Sequence, residues 1–252
     1  MRISLCAPGC TITLILAVTL AGVGWSGPGE TPAPASTQSQ AQVPSLDCVL
    51  EKLESVRKDF VSCTARVTKE RTVVPLQDTE VFDGTLQFKS PRMVRMELRS
   101  RETGEQTVYI VGKEYAWTYR PADKQAEGIP LRSLGERAKR GNPIEYGLAS
   151  SVDDLRKSYD LEIVGSEHVA DRDTVILSMR PKGSPRDVQD GTVTLWLCTT
   201  TWLPVRIREV KNDGDVIETY TFFDVATGGT IPDAAFEFVP GKDVDVIVHQ
   251  TD

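Results

Sequence analysis

The feature that most constrains the fold is an alternation of apolar and polar residues with a period of two. It runs through residues 61–68, 82–89, 93–99, 161–163, 175–179, 193–197 and 205–208. Each segment is predicted to be a strand with one apolar and one polar face. Such strands are typical of an antiparallel sheet that packs on one side and meets water on the other. Asp83-Gly84 and Thr103-Gly104 are dipeptides that favour turns.

Three short segments have helical signals instead. Ser45 is a good N-cap, and apolar residues recur at helical spacing from Leu46 to Val56, so 45–58 is predicted to be an amphipathic helix. Residues 131–141 and 151–159 are predicted to be short helices in a long connection. The first of these carries a basic cluster that suits either anionic lipid head groups or a solvated helix face, made of Arg132, Arg137, Lys139 and Arg140.

These elements predict an α+β, mainly β, protein with one sheet of roughly ten strands. A sheet of that size must curl or close, and its apolar side then becomes concave. We expect only this side to be apolar. The concave side would be either an ordinary core or a partly filled hollow for a hydrophobic guest beneath the helices. The alternation itself is compatible with both.

The first residues have the pattern of an export signal. Arg2 precedes an uncharged apolar run, 11–23, and small residues and Pro follow it. We predict a signal peptide over 1–26, with an uncleaved anchor as the alternative. Residues 27–44 are rich in Pro, Ser, Gln and Ala and are predicted to be a tether, followed by one domain over 45–252. Since no Cys directly follows the apolar run, we expect a soluble exported protein without a lipid anchor.

Charge and motifs argue against several function classes. The formal net charge of −7 disfavours nucleic-acid binding, and two His residues leave little room for a multi-histidine metal site. The chain has no Gly-x-Ser-x-Gly, no His-Glu-x-x-His and no phosphate-binding loop. A pairing of Cys63 or Cys198 with His168 has no local support. We therefore predict a protein that is not an enzyme and uses no metal or cofactor.

The cysteines leave two alternatives open. In an oxidising compartment Cys48 and Cys63 are the most plausible pair, joining the first helix to the next strand. Alternatively, Cys48, Cys63 and Cys198 are all reduced thiols.

Four segments carry a resemblance to a known family. They are GTLQFKSP from Gly84, YAWTYRPADKQ from Tyr115, LPVRI from Leu203 and FEFVPGKDVDVI from Phe236. Their order and spacing resemble the LolA family of outer-membrane lipoprotein carrier proteins from about Leu46 to Ile247.

The resemblance implies an unclosed β-barrel with a helical lid. It implies a periplasmic monomer that binds the acyl chains of lipoproteins and moves them from an inner-membrane release complex to an outer-membrane receptor, without a cofactor. In such a cavity we expect Leu50 and Leu53 to form the lid face. The expected wall residues, for each of which plain core packing is the alternative, are Leu86, Phe88, Met96, Trp117, Leu177 and Ile207.

Two positions depart from the family pattern. The best-known members of the family have an Arg before the strand-ending Pro that hydrogen-bonds to the lid, whereas this chain has Ser90 at that position and Arg92, the alternative latch residue, just after Pro91. Ser90 is expected to face the hollow, because it shares the parity of Leu86 and Phe88, yet a hydroxyl is a weaker latch than a guanidinium. Cys198 stands where the family has an Asp.

Two other functions fit the same resemblance. One is a carrier of glycolipid or another lipid. The other is a periplasmic sensor that restrains envelope-stress signalling by binding an anti-sigma factor. Because such sensors carry a second domain, the end of the chain at Asp252 is expected to weigh against this function.

Overall fold

The computed structural model describes residues 43–133, 151–183, 191–211 and 214–249. The predicted signal peptide, nearly all of the predicted tether and residues 134–141 of the second predicted helix lie outside these ranges. Residues 131–133 of that helix form a short 3-10 turn.

Two α-helices lie within the described residues, and both begin at a serine cap. Helix α1 spans Leu46–Asp59, and the Ser45 hydroxyl accepts a hydrogen bond from the Cys48 amide at 3.4 Å. Helix α2 spans Val152–Ser158, where Ser151 accepts from the Asp154 amide at 3.1 Å. These caps satisfy amide groups that the first turn of a helix leaves without partners.

Among the residues that the structure describes, twelve strands form a single sheet. Their order across it is β12-β6-β5-β4-β3-β2-β1-β11-β10-β9-β8-β7, and every pairing is antiparallel except that of β12 with β6. The strands are β1 Ser62–Val73, β2 Asp78–Lys89, β3 Met93–Ser100, β4 Gln106–Val111, β5 Tyr115–Arg120, β6 Gln125–Pro130, β7 Tyr159–Val169, β8 Arg172–Pro181, β9 Val193–Cys198, β10 Pro204–Lys211, β11 Val216–Thr227 and β12 Asp245–Val248. Strands β7 and β12 are the two edges, so the curled sheet does not close. The predicted fold class, an unclosed barrel with helical elements, is confirmed.

The predicted turn at Asp83-Gly84 is wrong, because both residues lie inside β2. A side chain at Gly84 would place its Cβ 1.8 Å from the carbonyl oxygen of Glu97 on β3. Glycine is therefore needed where two strands approach closely, and not for a turn. Thr103-Gly104 does lie in the turn between β3 and β4.

The core lies on the side of the sheet covered by α1 and α2, which we call the inner face. Helix α1 buries Val49, Leu50 and Leu53 against it, and α2 buries Leu155. The rings of Phe60 and Phe88 lie with centroids 5.5 Å apart in this core. The inner face is thus packed by apolar side chains from both helices and most of the strands.

The opposite, outer face is not wholly polar, so the expectation of a single apolar side is wrong. One small apolar cluster there contains Val169, Trp196, Cys198 and Val205. A second joins Met93 to Ile231 and Phe236 of the C-terminal segment, residues 231–248. Lys89 anchors this segment by hydrogen bonds to the Ile231 carbonyl at 2.8 Å and to Asp233 at 2.5 Å.

Within the described ranges, no helix has both the length and the apolar character required to cross a membrane.

Candidate functional site

The inner face contains one small apolar cavity near α1. Its volume is about 20 Å³, which is enough for roughly one water molecule. It is lined by Phe60, Cys63, Ala65, Leu86, Leu203, Pro204, Ile207, Phe222 and Val225. The protein's own side chains therefore leave very little free space at this place on the inner face.

Five of the six predicted wall residues lie on this inner face. Leu86 and Ile207 line the cavity itself. Phe88, Met96 and Leu177 are buried in the same core but do not line the cavity. The predicted lid residues Leu50 and Leu53 are buried beside them on the packed side of α1.

Trp117 is not brought together with the other five. It pairs with Ile110 on β4, and Ile110 pairs with Arg95, whose neighbour Met96 faces the core. Since paired residues share a face, Trp117 lies on the outer face. Its ring lies 5.0 Å from that of Phe238 in the C-terminal segment. The aromatic ring is thus used to hold that segment, a long-range contact that residue spacing does not indicate.

Ser90 and Arg92 are both exposed and lie in the turn between β2 and β3. The backbone amide of Ser90 donates to the Val61 carbonyl at 2.8 Å. The expectation that Ser90 faces the hollow is wrong, because β2 ends at Lys89 and the alternation ends with it.

The two helices are instead joined to each other by what we call the helix clasp. Arg156 on α2 forms an ion pair with Asp47 on α1 at 2.7 Å. Glu54 on α1 accepts a hydrogen bond from the amide of Val152, at the start of α2, at 3.3 Å. A hydrogen bond from Arg57 and this amide bond overcome the effect of burial and lower the pKa of Glu54 to about 2. The clasp couples α1 to α2 through charged groups at the surface.

The structure does not form the Cys48–Cys63 disulfide, and both thiols are free. Cys48 lies on the exposed side of α1, whereas Cys63 is buried on the inner face, so the two side chains point into different surroundings. Burial raises the pKa of Cys63 to about 12, which makes it an unreactive thiol.

Cys198 is also free and is buried on the outer face. Burial raises the pKa of its thiol, but hydrogen bonds from Thr201 and from the backbone of Thr200 and Thr201 outweigh burial and give a net lowering.

The far end of the inner face carries charges that residue spacing did not single out. The ion cluster consists of Lys69, Glu209, Lys211 and Glu218. Both Lys69 and Lys211 contact Glu218 at 2.7 Å, and Lys211 also contacts Glu209 at 3.0 Å. Burial raises the pKa of Glu218, but these cations outweigh burial and lower it to about 2. Lys69 and Glu209 share the parity of the apolar residues before them, and that parity could have revealed the cluster.

In the described parts of the chain, no group of three or more His, Cys, Asp or Glu side chains is arranged to hold a metal ion.

One protein-family model matches part of the chain. Residues 131–239 match the model described as the MucB/RseB N-terminal domain, which has a LolA-like fold. This match covers less than half of the chain. No curated protein matches the chain.

Solved structures extend the comparison to the fold. An uncharacterized conserved protein from Thermus thermophilus is 14% identical with a TM-score of 0.52, and the match covers 82% of this chain and all of that one. MucB in the MucA/MucB complex of Pseudomonas aeruginosa is 19% identical with a TM-score of 0.41, covering 79% of this chain but only 62% of MucB. The LolA superfamily protein NE2245 from Nitrosomonas europaea is 14% identical with a TM-score of 0.39, covering 77% and 98% of the two chains.

The unclosed curled sheet, its helical cover and the family-model match agree with the resemblance carried by the four sequence segments. The fold of the chain is LolA-like.

Proposed function

We propose that this protein is an exported periplasmic carrier that binds the acyl chains of lipoproteins between the inner face and the two helices. It would receive its cargo from an inner-membrane release complex and pass it to an outer-membrane receptor. The main support for this proposal is that, among the described residues, only α1 and α2 cover the inner face. They cover it with a few apolar side chains. A cover this small can move away without unfolding the sheet.

The size of the cavity supports a binding step that moves the helices. A volume of about 20 Å³ cannot hold an acyl chain, so the cargo must take the place of apolar side chains on α1. Val49, Leu50 and Leu53 are all buried, and their burial is worth roughly 5–9 kcal/mol in total. An acyl chain gains about 0.8 kcal/mol per methylene group, or on the order of 10 kcal/mol for a long chain.

These two free energies are similar, so cargo and helix compete for the same apolar surface on nearly equal terms. A carrier needs this balance, because it must accept its cargo from one membrane and release it to another. We propose that the protein works as a monomer, without a cofactor and without covalent chemistry. The same exchange would serve a glycolipid or another acylated lipid.

A second candidate function has its own support. The match of residues 131–239 to the MucB/RseB N-terminal domain favours a regulator that binds a partner protein in envelope-stress signalling. The nearly filled interior agrees with this function, because a protein partner needs a surface and not a cavity.

Native mass spectrometry of the protein, purified gently from its own host, distinguishes these functions. The carrier proposal predicts a mass increase that corresponds to an acylated peptide. A co-purifying free lipid would show that the cargo is a lipid and not a lipoprotein. A protein without bound lipid that associates with the periplasmic part of a membrane protein would overturn the carrier proposal in favour of the regulator.

A further inference from the structure

We propose that the ion cluster is the closed end of the acyl site and sets the maximum length of chain that the site accepts. This inference rests on the proposed function, because it describes how deep the acyl site can become once the helices move. It identifies Lys69 and Glu218 as residues that determine specificity.

The cavity and the ion cluster lie on the same strands. On β1, the inner-face residues Ala65 and Val67 lead from the cavity to Lys69, a distance of about 13 Å along the strand. On β10, Glu209 follows Ile207 on this face. The apolar path that begins at the cavity therefore ends at charged residues on three consecutive strands of the sheet, β1, β11 and β10.

The cluster blocks the path because its charged groups are buried, form ion pairs and are surrounded by aromatic rings. Lys69 and Glu218 are each 8% exposed, and the Tyr220 hydroxyl donates to Glu218 at 3.1 Å. The rings of Phe82, Tyr109 and Tyr220 lie 5.4–6.0 Å from the Lys69 ammonium group. An acyl chain that extended further would have to separate these buried charges, which is costly because it leaves them without partners.

The charges of the cluster also suit a barrier better than a head-group site. Two cations, Lys69 and Lys211, face two carboxylates, Glu209 and Glu218, so the four charges cancel. A cluster with no net charge has little attraction for a charged head group, whereas it still excludes a hydrocarbon chain.

The test compares the binding of laurate, palmitate, stearate and arachidate to the full chain, by displacement of a fluorescent fatty acid. Affinity is expected to rise by up to about fourfold per buried methylene group and then to stop rising at the longer chains. In the double variant Lys69→Met with Glu218→Leu, the affinity is expected to keep rising with chain length. Lys211 keeps Glu209 as a partner in that variant.

The matched control is Arg71→Gln with Glu80→Gln. These residues form an ion pair at 3.1 Å between β1 and β2, beyond Lys69 along β1, and their side chains are 38% and 45% exposed. The control is expected to keep the wild-type limit. A limit that is unchanged in the cluster variant, or one that both double variants abolish, would overturn the proposal.

A second measurement uses the wild-type protein and does not depend on the folding of a variant. Palmitate with a photoreactive diazirine at its terminal methyl end is expected to label residues beside the cluster, such as Val67, Phe82 and Tyr220. Labelling confined to α1 or to the outer face would overturn the chain-length role. Failure of every fatty acid and acylated peptide to bind would instead reject the proposed function.

Discussion

Buried charges on the inner face make Glu218 a residue on which stability depends. It is the carboxylate that contacts Lys69, and both side chains are about 10% exposed. Glu218→Leu is expected to lower the free energy of unfolding by about 3–5 kcal/mol, because it leaves the Lys69 cation buried without this partner.

Adding Lys69→Met is expected to recover most of that loss, since the double variant removes both charges together. Urea unfolding of the two single variants and the double variant measures the coupling. If the loss of unfolding free energy in the double variant equals the sum of the losses in the two single variants, the two residues do not act as a pair.

Trp117 is expected to stabilise the C-terminal segment and to have no part in acyl binding. Trp117→Ala removes the ring that packs against Phe238, and it should lower the free energy of unfolding by roughly 2 kcal/mol because the ring is only partly buried. Hydrogen exchange of the β12 amides should become faster, while the affinity for palmitate stays unchanged.

The matched control for this variant is Phe223→Ala. Phe223, on β11, also has a partly buried ring, and the Arg66 guanidinium lies over it. Several strands of the sheet separate β11 from β6 and β12. Loss of the Phe223 ring should leave the hydrogen-exchange rates of the β12 amides unchanged. Weaker palmitate binding by a folded Trp117→Ala protein would return Trp117 to the acyl site.

Among the elements, α1 and α2 are the parts that the proposed carrier function requires to move, and we expect the helix clasp to set how readily they do so. The Asp47–Arg156 pair is exposed, so its loss should cost less than about 1 kcal/mol of stability. Asp47→Asn and Arg156→Gln are each expected to speed palmitate uptake by up to about fivefold, as measured by stopped-flow fluorescence.

The double variant Asp47→Asn with Arg156→Gln separates the clasp from effects on each helix alone. If the ion pair is what restrains the helices, the double variant takes up palmitate no faster than either single variant. Multiplying rate increases would instead point to two independent effects.

Glu54 also predicts a dependence of stability on acid, mainly through its hydrogen bonds with Arg57 on the same helix. The pKa of Glu54 is about 2 in the folded protein and has an ordinary value of 4.5, so ionised Glu54 stabilises the fold above pH 4.5. This stabilisation is lost as the pH falls from 4.5 towards 2. The stability difference between wild type and Glu54→Gln should therefore shrink over that range, as measured by urea unfolding at a series of pH values.

Glu51→Gln is the control for acid dependence, because Glu51 is an exposed acid on the same helix. Because Glu51→Gln leaves the contacts of Glu54 in place, the acid dependence caused by Glu54 should remain in that variant. A Glu54→Gln difference that stays constant with pH would show that the charge of Glu54 does not stabilise the folded protein.

The period-two alternation predicted most strands and the inner-face position of Leu86, Phe88, Met96, Leu177 and Ile207. It predicted them because burial on one side of a strand leaves its mark on every second residue. The alternation could not reveal that β2 continues through Gly84, since that glycine serves a close contact with β3.

At the scale of the whole molecule, the position of the C-terminal segment is the feature that the sequence did not indicate. It crosses the outer face, covers Trp117 with Phe238, and then adds β12 to the edge of the sheet beside β6. These contacts join residues more than a hundred positions apart, so no local pattern records them. For the same reason, the ring of Trp117 was expected on the inner face, whereas it lies on the outer face.

The inner face is also closely packed around its apolar cavity, which the alternation could not decide. An apolar face indicates burial equally well whether a helix or a cargo covers it. The cavity of about 20 Å³ shows that, in this structure, the protein's own side chains cover the face. Carriage of an acyl chain therefore requires the helices to exchange places with the cargo.

A structure of the protein bound to an acylated lipoprotein peptide tests this exchange most directly. We expect that the acyl chain lies against Leu86 and Ile207, that Leu50 and Leu53 have left the inner face, and that the sheet is unchanged. An acyl chain bound on the outer face, or one bound while α1 stays packed as it is here, would contradict the exchange.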